Sequence, residues 1–117
     1  MRIAAAGLAA LSLTAGAGSG STPAPARIQV SAKEFYYVLS RNSVKAGQAI
    51  IELANFGEDP HDLRIQRIGA RHVGGTPEVQ PGDYYDLSLR LRPGRYRLWC
   101  SIGNHRRLGM QAVLTVK

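Results

Sequence analysis

The chain has 117 residues with a formal charge of +7, enough length for one domain and little else. Its single cysteine excludes an internal disulfide. The arginines are scattered and no nucleic-acid-binding motif is present, so the positive charge is read as solubility or as steering of a partner, not as a nucleic-acid interface.

The chain opens with Met1-Arg2, an apolar run "IAAAGLAALSL" over 3–13 and the small-x-small pattern Ala15-Gly16-Ala17. This is the layout of a cleaved export signal, with a second cut position after Ala26. The run falls short of the roughly 20 apolar residues that span a bilayer, which points to export and not to anchoring. "GAGSGSTPAPA" over 16–26 has nothing to bury and reads as a tether. The expected division is therefore signal and tether over 1–26 and one folded domain over 27–117.

From Arg27 onward the pattern is short stretches of period-2 alternation divided by Gly, Pro, Asn and Asp, with no apolar stripe of helical period. Strands are expected over 27–32, 34–40, 48–55, 61–68, 83–91, 94–100 and 111–117. Turns are expected at "KAGQ", "NFGEDP", "IGARHVGG", "QPGD" and "RPGR". Seven short strands at this spacing predict an all-β, two-sheet sandwich.

The alternation also assigns faces. Cys100 falls on one face with Tyr96 and Leu98, His61 with Leu63 and Ile65, and Met110 with Ala112, Leu114 and Val116. His105 lies in the loop between two of these strands. Taken singly, a buried cysteine or methionine is ordinary core filling. Taken together, a thiolate, two imidazoles and a thioether directed at one core are the donor set of a His₂Cys copper site with a weak axial methionine. Zinc shares the cysteine and histidine ligands, but its structural sites close with Cys, His or carboxylate and not with Met.

Two stretches, "NFGEDPHDLRI" around His61 and "PGRYRLWCSIGNHRRLGM" from the sixth strand onward, resemble the cupredoxin family, and the resemblance covers most of 27–117. It implies a Greek-key β-sandwich of seven or eight strands holding one type 1 copper ion, with an electron-transfer role. It also implies His61, Cys100 and His105 as equatorial ligands and Met110 as the axial one. Many relatives carry proline just before the loop histidine, whereas this chain has Gly103-Asn104.

The implied function is one-electron carriage between redox proteins outside the cytoplasm, by a monomer with no enzymatic activity of its own. Multicopper enzymes of the family need further histidine clusters, which three histidines cannot supply. Copper storage or delivery, and a metal-free interaction module, are the alternatives. Arg106 and Arg107 beside His105 imply a positive rim suited to partners with acidic patches. Asp62 is placed to accept hydrogen bonds from Ser101 and its amide or, alternatively, to be a solvated strand residue. His72 reads as a loop residue.

Overall fold

A computed structural model describes Ala4 and residues 23–117, so the proposed signal segment lies almost entirely outside the described residues. Nine strands follow one another: β1 (Ala26–Lys33), β2 (Tyr36–Leu39), β3 (Ser43–Val44), β4 (Gly47–Asn55), β5 (Arg64–Arg67), β6 (Gly74–Gly75), β7 (Tyr84–Leu91), β8 (Gly94–Trp99) and β9 (Gln111–Val116). Seven of them have four or more residues and fall within or close to the seven expected spans. The two additions, β3 and β6, have two residues each, too few for alternation to register. No helix among the described residues is long and apolar enough to cross a membrane.

The strands form two sheets, ordered β2-β1-β4-β7 and β3-β9-β8-β5-β6. Both are mixed: β1 runs parallel to β4 and β3 parallel to β9, while the remaining pairings are antiparallel. The core lies between them, with Ile28, Val30, Ala32, Ile51 and Leu53 from the first sheet facing Ile65, Leu98, Leu114 and Val116 from the second. Each set follows the period of two that puts alternate side chains on one face. Tyr96 is buried with its hydroxyl satisfied within the β7–β8 turn, accepting from Arg92 N (2.8 Å) and donating to Arg92 O (2.9 Å).

Two expected spans are shorter than the alternation indicates. The expected strand over 34–40 loses Glu34 and Phe35, which form the turn between β1 and β2. The span over 61–68 contracts to Arg64–Arg67, and His61 keeps only an isolated bridge to Val79. The inward facing of His61, Leu63 and Ile65 persists, but Asp62 between them is buried as well, which strict alternation does not anticipate. Cys100 and Met110 likewise sit just beyond the ends of β8 and β9, so the expected donors gather where strands end.

Candidate metal centre

Three segments build the site. The first leaves β4 at Asn55, a fully buried residue whose side chain organises the chain up to His61. Its Nδ2 donates to Asp59 O (2.8 Å) and Val79 O (2.9 Å), while Oδ1 accepts from Gly57 N (2.9 Å). A buried amide with its donors and one acceptor site used in this way fixes a loop much as secondary structure would. His61 then pairs with Val79 through both backbone groups, N to O at 3.1 Å and O from N at 2.7 Å. Thr76 continues the clamp, its Oγ1 accepting from Leu63 N (3.1 Å).

The second segment is the loop from Cys100 to Met110. It is held by backbone hydrogen bonds. Cys100 N donates to Met110 O, Met110 N to His105 O and His105 N to Ile102 O, each at 3.1 Å, and Gly109 N donates to Arg106 O at 3.0 Å. Gly103 and Gly109 take positive φ angles of 51° and 115°, which bend the loop back without a Cβ penalty. Met110 is fully buried, and its backbone is tied to the residues on both sides of the loop.

The third segment is the Glu34-Phe35 turn, which the alternation of the sequence does not mark. Phe35 packs against both imidazoles, with ring centroids 4.6 Å from His105 and 6.4 Å from His61. Glu34 Oε1 accepts from Glu58 N (2.6 Å) and Asp59 N (2.7 Å) and meets His61 Nε2 at 3.1 Å. The Asp59 amide, followed by the Glu58 amide and His61, holds the Glu34 carboxyl below its ordinary pKa against the opposing effect of desolvation.

Where these segments meet, one ligand atom from each of His61, Cys100 and His105 lies within 4.8 Å of the others, and all three residues are buried. Cys100 Sγ and His105 Nδ1 are 3.5 Å apart. The two imidazole centroids are separated by 5.0 Å. His61 Nδ1 is buried and has no hydrogen-bond partner. A buried polar atom without a partner costs about 1–3 kcal/mol unless something else satisfies it. That orphan, beside a thiol and a second imidazole, fits a borderline-to-soft metal ion.

Around the donors, Asp62 joins the first two segments. Its Oδ1 accepts from Ser101 N (2.7 Å) and its Oδ2 from Ser101 Oγ (2.5 Å), while its backbone carbonyl accepts from the Tyr37 hydroxyl. Burial, with Cys100 and Asp62 adding to it, pushes the Tyr37 hydroxyl pKa far above its ordinary value. Burial also raises the Cys100 thiol, while the backbone amides of Asp62 and Ile102 act in the opposite direction. Asp62→Ala is expected to destabilise the metal-free domain by about 2 kcal/mol, because the Ser101 amide loses its acceptor in a part-buried setting. Asp62→Asn, which retains an acceptor oxygen, is expected to cost much less, as urea unfolding midpoints will show.

Of the four residues expected to converge, His61, Cys100 and His105 are brought together and Met110 is buried at the end of the same loop. His72 is exposed in the loop before β6, as expected. Asn55, Glu34, Phe35, Tyr37 and Asp59 were not singled out by sequence. For Asn55 the signal was present, since it heads "NFGEDP", where an Asx side chain organises a turn. Glu34 stands 27 residues from His61, and nothing local marks that meeting.

No protein-family model and no curated protein sequence matches the chain. Solved structures do. A dithionite-reduced auracyanin from the photosynthetic bacterium Roseiflexus castenholzii superposes with TM-score 0.67 at 17% identity, over 80% of this chain and 98% of its own. Auracyanin A from Chloroflexus aurantiacus, described as a "blue" copper protein, gives TM-score 0.63 at 14% identity, over 80% and 100%. A multicopper oxidase gives 0.62 at 18% identity over 84% of this chain, but only 46% of its own length. The fold is therefore that of the cupredoxins, an all-β sandwich of two mixed sheets.

Proposed function

We propose that this chain is a type 1 copper protein that carries one electron at a time between redox partners outside the cytoplasm. One observation carries the reading: the buried donors of His61, Cys100 and His105 lie within 4.8 Å of one another. Met110, buried and tied by backbone bonds to Cys100 and His105, would add its thioether as the fourth, weaker donor. The auracyanin A match, itself a blue copper protein, supports the choice of metal.

Copper in this set supplies a one-electron couple, with sulfur donors suited to the cuprous form and imidazoles acceptable to both. The chain's own contribution is to keep the donors in place. The Asn55 loop fixes His61, the backbone-bonded loop fixes Cys100 and His105, and Asp62 locks one to the other. Phe35 and the core enclose them, so little rearrangement accompanies a change of charge. The likeness to small copper proteins over almost their whole length, auracyanin A among them, favours carriage over catalysis. Voltammetry of the copper-loaded domain tests this assignment. A reversible one-electron wave supports it, whereas loss of copper on reduction would point to delivery or storage.

Export follows from the leader read in the sequence, and residues 27–117 are proposed as the mature domain, acting as a monomer. Arg106 and Arg107 are exposed beside His105, and the Arg106 guanidinium lies 4.7 Å from the centroid of the Trp99 ring. That rim suits acidic partners. Electron exchange with an anionic redox protein is expected to slow as ionic strength rises, and Arg107→Ala to flatten that dependence. Stopped-flow kinetics between low and moderate salt measure both, and rates indifferent to salt would rule the docking mode out.

A further inference from the structure

The Glu34 carboxylate is held in a pocket formed by the chain that leads to His61. Its Oε1 accepts the amide hydrogens of Glu58 and Asp59 at 2.6 and 2.7 Å, and the same oxygen lies 3.1 Å from His61 Nε2. The Glu34 side chain is 28% exposed, whereas that of His61 is fully enclosed. On the Gly57 side the pocket has no spare room, since a Cβ there would overlap Glu34 Oε1. A carboxylate already accepting two amides offers only lone pairs to the imidazole, so Nε2 must carry the hydrogen. In the neutral imidazole the other ring nitrogen, Nδ1, then carries the lone pair, and it is the buried atom without a partner.

We infer that Glu34 is a positioning residue that fixes the His61 ring and tautomer so that Nδ1 is presented as a metal donor, and that its negative charge favours the more highly charged state of the ion held there. The inference rests on the copper reading for its second half only. A carboxylate behind a ligating imidazole orients the ring and raises its basicity. On the opposite imidazole, Asp59 Oδ2 lies 3.8 Å from His105 Nε2, longer than a hydrogen bond, and the Asp59 side chain is half-exposed. Glu34 is thus the carboxylate in hydrogen-bond contact, and it belongs to a turn that otherwise contributes no donor.

Three variants of the mature domain separate the roles. Glu34→Gln keeps an acceptor oxygen and removes the charge. Glu34→Ala removes both. Gly57→Ala leaves Glu34 intact but puts a methyl group where its carboxylate rests. The first readout needs no metal: ¹⁵N NMR of His61 in the metal-free protein. The native protein and Glu34→Gln are expected to show the Nε2–H tautomer, while Glu34→Ala and Gly57→Ala show a mixture.

The second readout is the reduction potential of the copper-loaded forms. Glu34→Gln is expected to weaken the preference for Cu(II) over Cu(I) by about tenfold, the low end of what one nearby charge does to a titrating group. For one electron this raises the potential by about 59 mV. An Nδ1–H tautomer in the native protein, or a tautomer indifferent to Glu34→Ala, would overturn the positioning role. A potential unchanged in Glu34→Gln would overturn the electrostatic one. If the metal-free protein shows the expected tautomer but takes up no copper, positioning stands and the copper reading falls.

Discussion

Replacing Cys100 with Ser is expected to abolish the intense visible absorption of the copper-loaded domain while leaving a folded β-sandwich. Cys100 is almost completely buried, 3.5 Å from His105 Nδ1, in the one place where the chain offers a thiol. In the proposed centre the absorption arises from charge transfer between a thiolate and Cu(II), which a serine hydroxyl at the same position cannot supply. Copper affinity should fall by more than about a hundredfold, beyond the 10–100-fold that accompanies loss of a merely supporting partner. The cost to the fold is modest, about 1–2 kcal/mol for a buried hydroxyl in place of a thiol. A visible spectrum beside a far-ultraviolet circular dichroism spectrum reads both. Colour retained in Cys100→Ser would show that the thiolate is not the ligand.

The largest expected effect on stability lies elsewhere. Asn55→Ala removes three hydrogen bonds from a residue 2% exposed, leaving the Gly57 amide and the Asp59 and Val79 carbonyls short of a partner. Net losses of about 1 kcal/mol for each bond, with added cost wherever an abandoned group stays buried, total about 3 kcal/mol. For a small domain that is a large fraction of its stability. The shift should appear as a lower urea midpoint with an unchanged slope. Because Asn55 holds the loop that delivers His61, the same variant should also bind copper more weakly. If stability falls by less than about 1 kcal/mol, the loop is held by its other contacts.

The two results concern features of unequal visibility in the sequence. Cys100, His61 and Met110 could be placed because strand alternation assigns faces, and one donor on each of three inward faces is already a statement about three dimensions. The core residues Ile51, Leu53, Leu98 and Leu114 were legible for the same reason. Alternation failed where strands stop. Glu34 and Phe35 continue an apparently regular pattern, yet they turn the chain and reach the imidazoles. Asp62 breaks the rule differently. It is buried between two inward residues because Ser101, 39 positions away, satisfies both its oxygens. Such long-range polar pairings leave no period in the sequence, whereas apolar burial does.

The loop from Cys100 to Met110 is similar. Gly103-Asn104 before His105 was legible, but the backbone bonds that hold the loop became visible only once it was folded. The distinction matters for the two halves of the account. Donor identity rests on residue type and spacing, while donor orientation rests on Asp62, whose bonds to Ser101 were one of two readings of the sequence, and on Asn55 and Glu34, found by geometry.

The most direct measurement is a titration of the metal-free mature domain with Cu(II), followed by visible absorption and electron paramagnetic resonance. Saturation at one equivalent, a strong thiolate charge-transfer band and the narrow copper hyperfine splitting of a type 1 centre are expected. Failure to take up copper, or a colourless complex that a mild chelator strips, would contradict the copper reading.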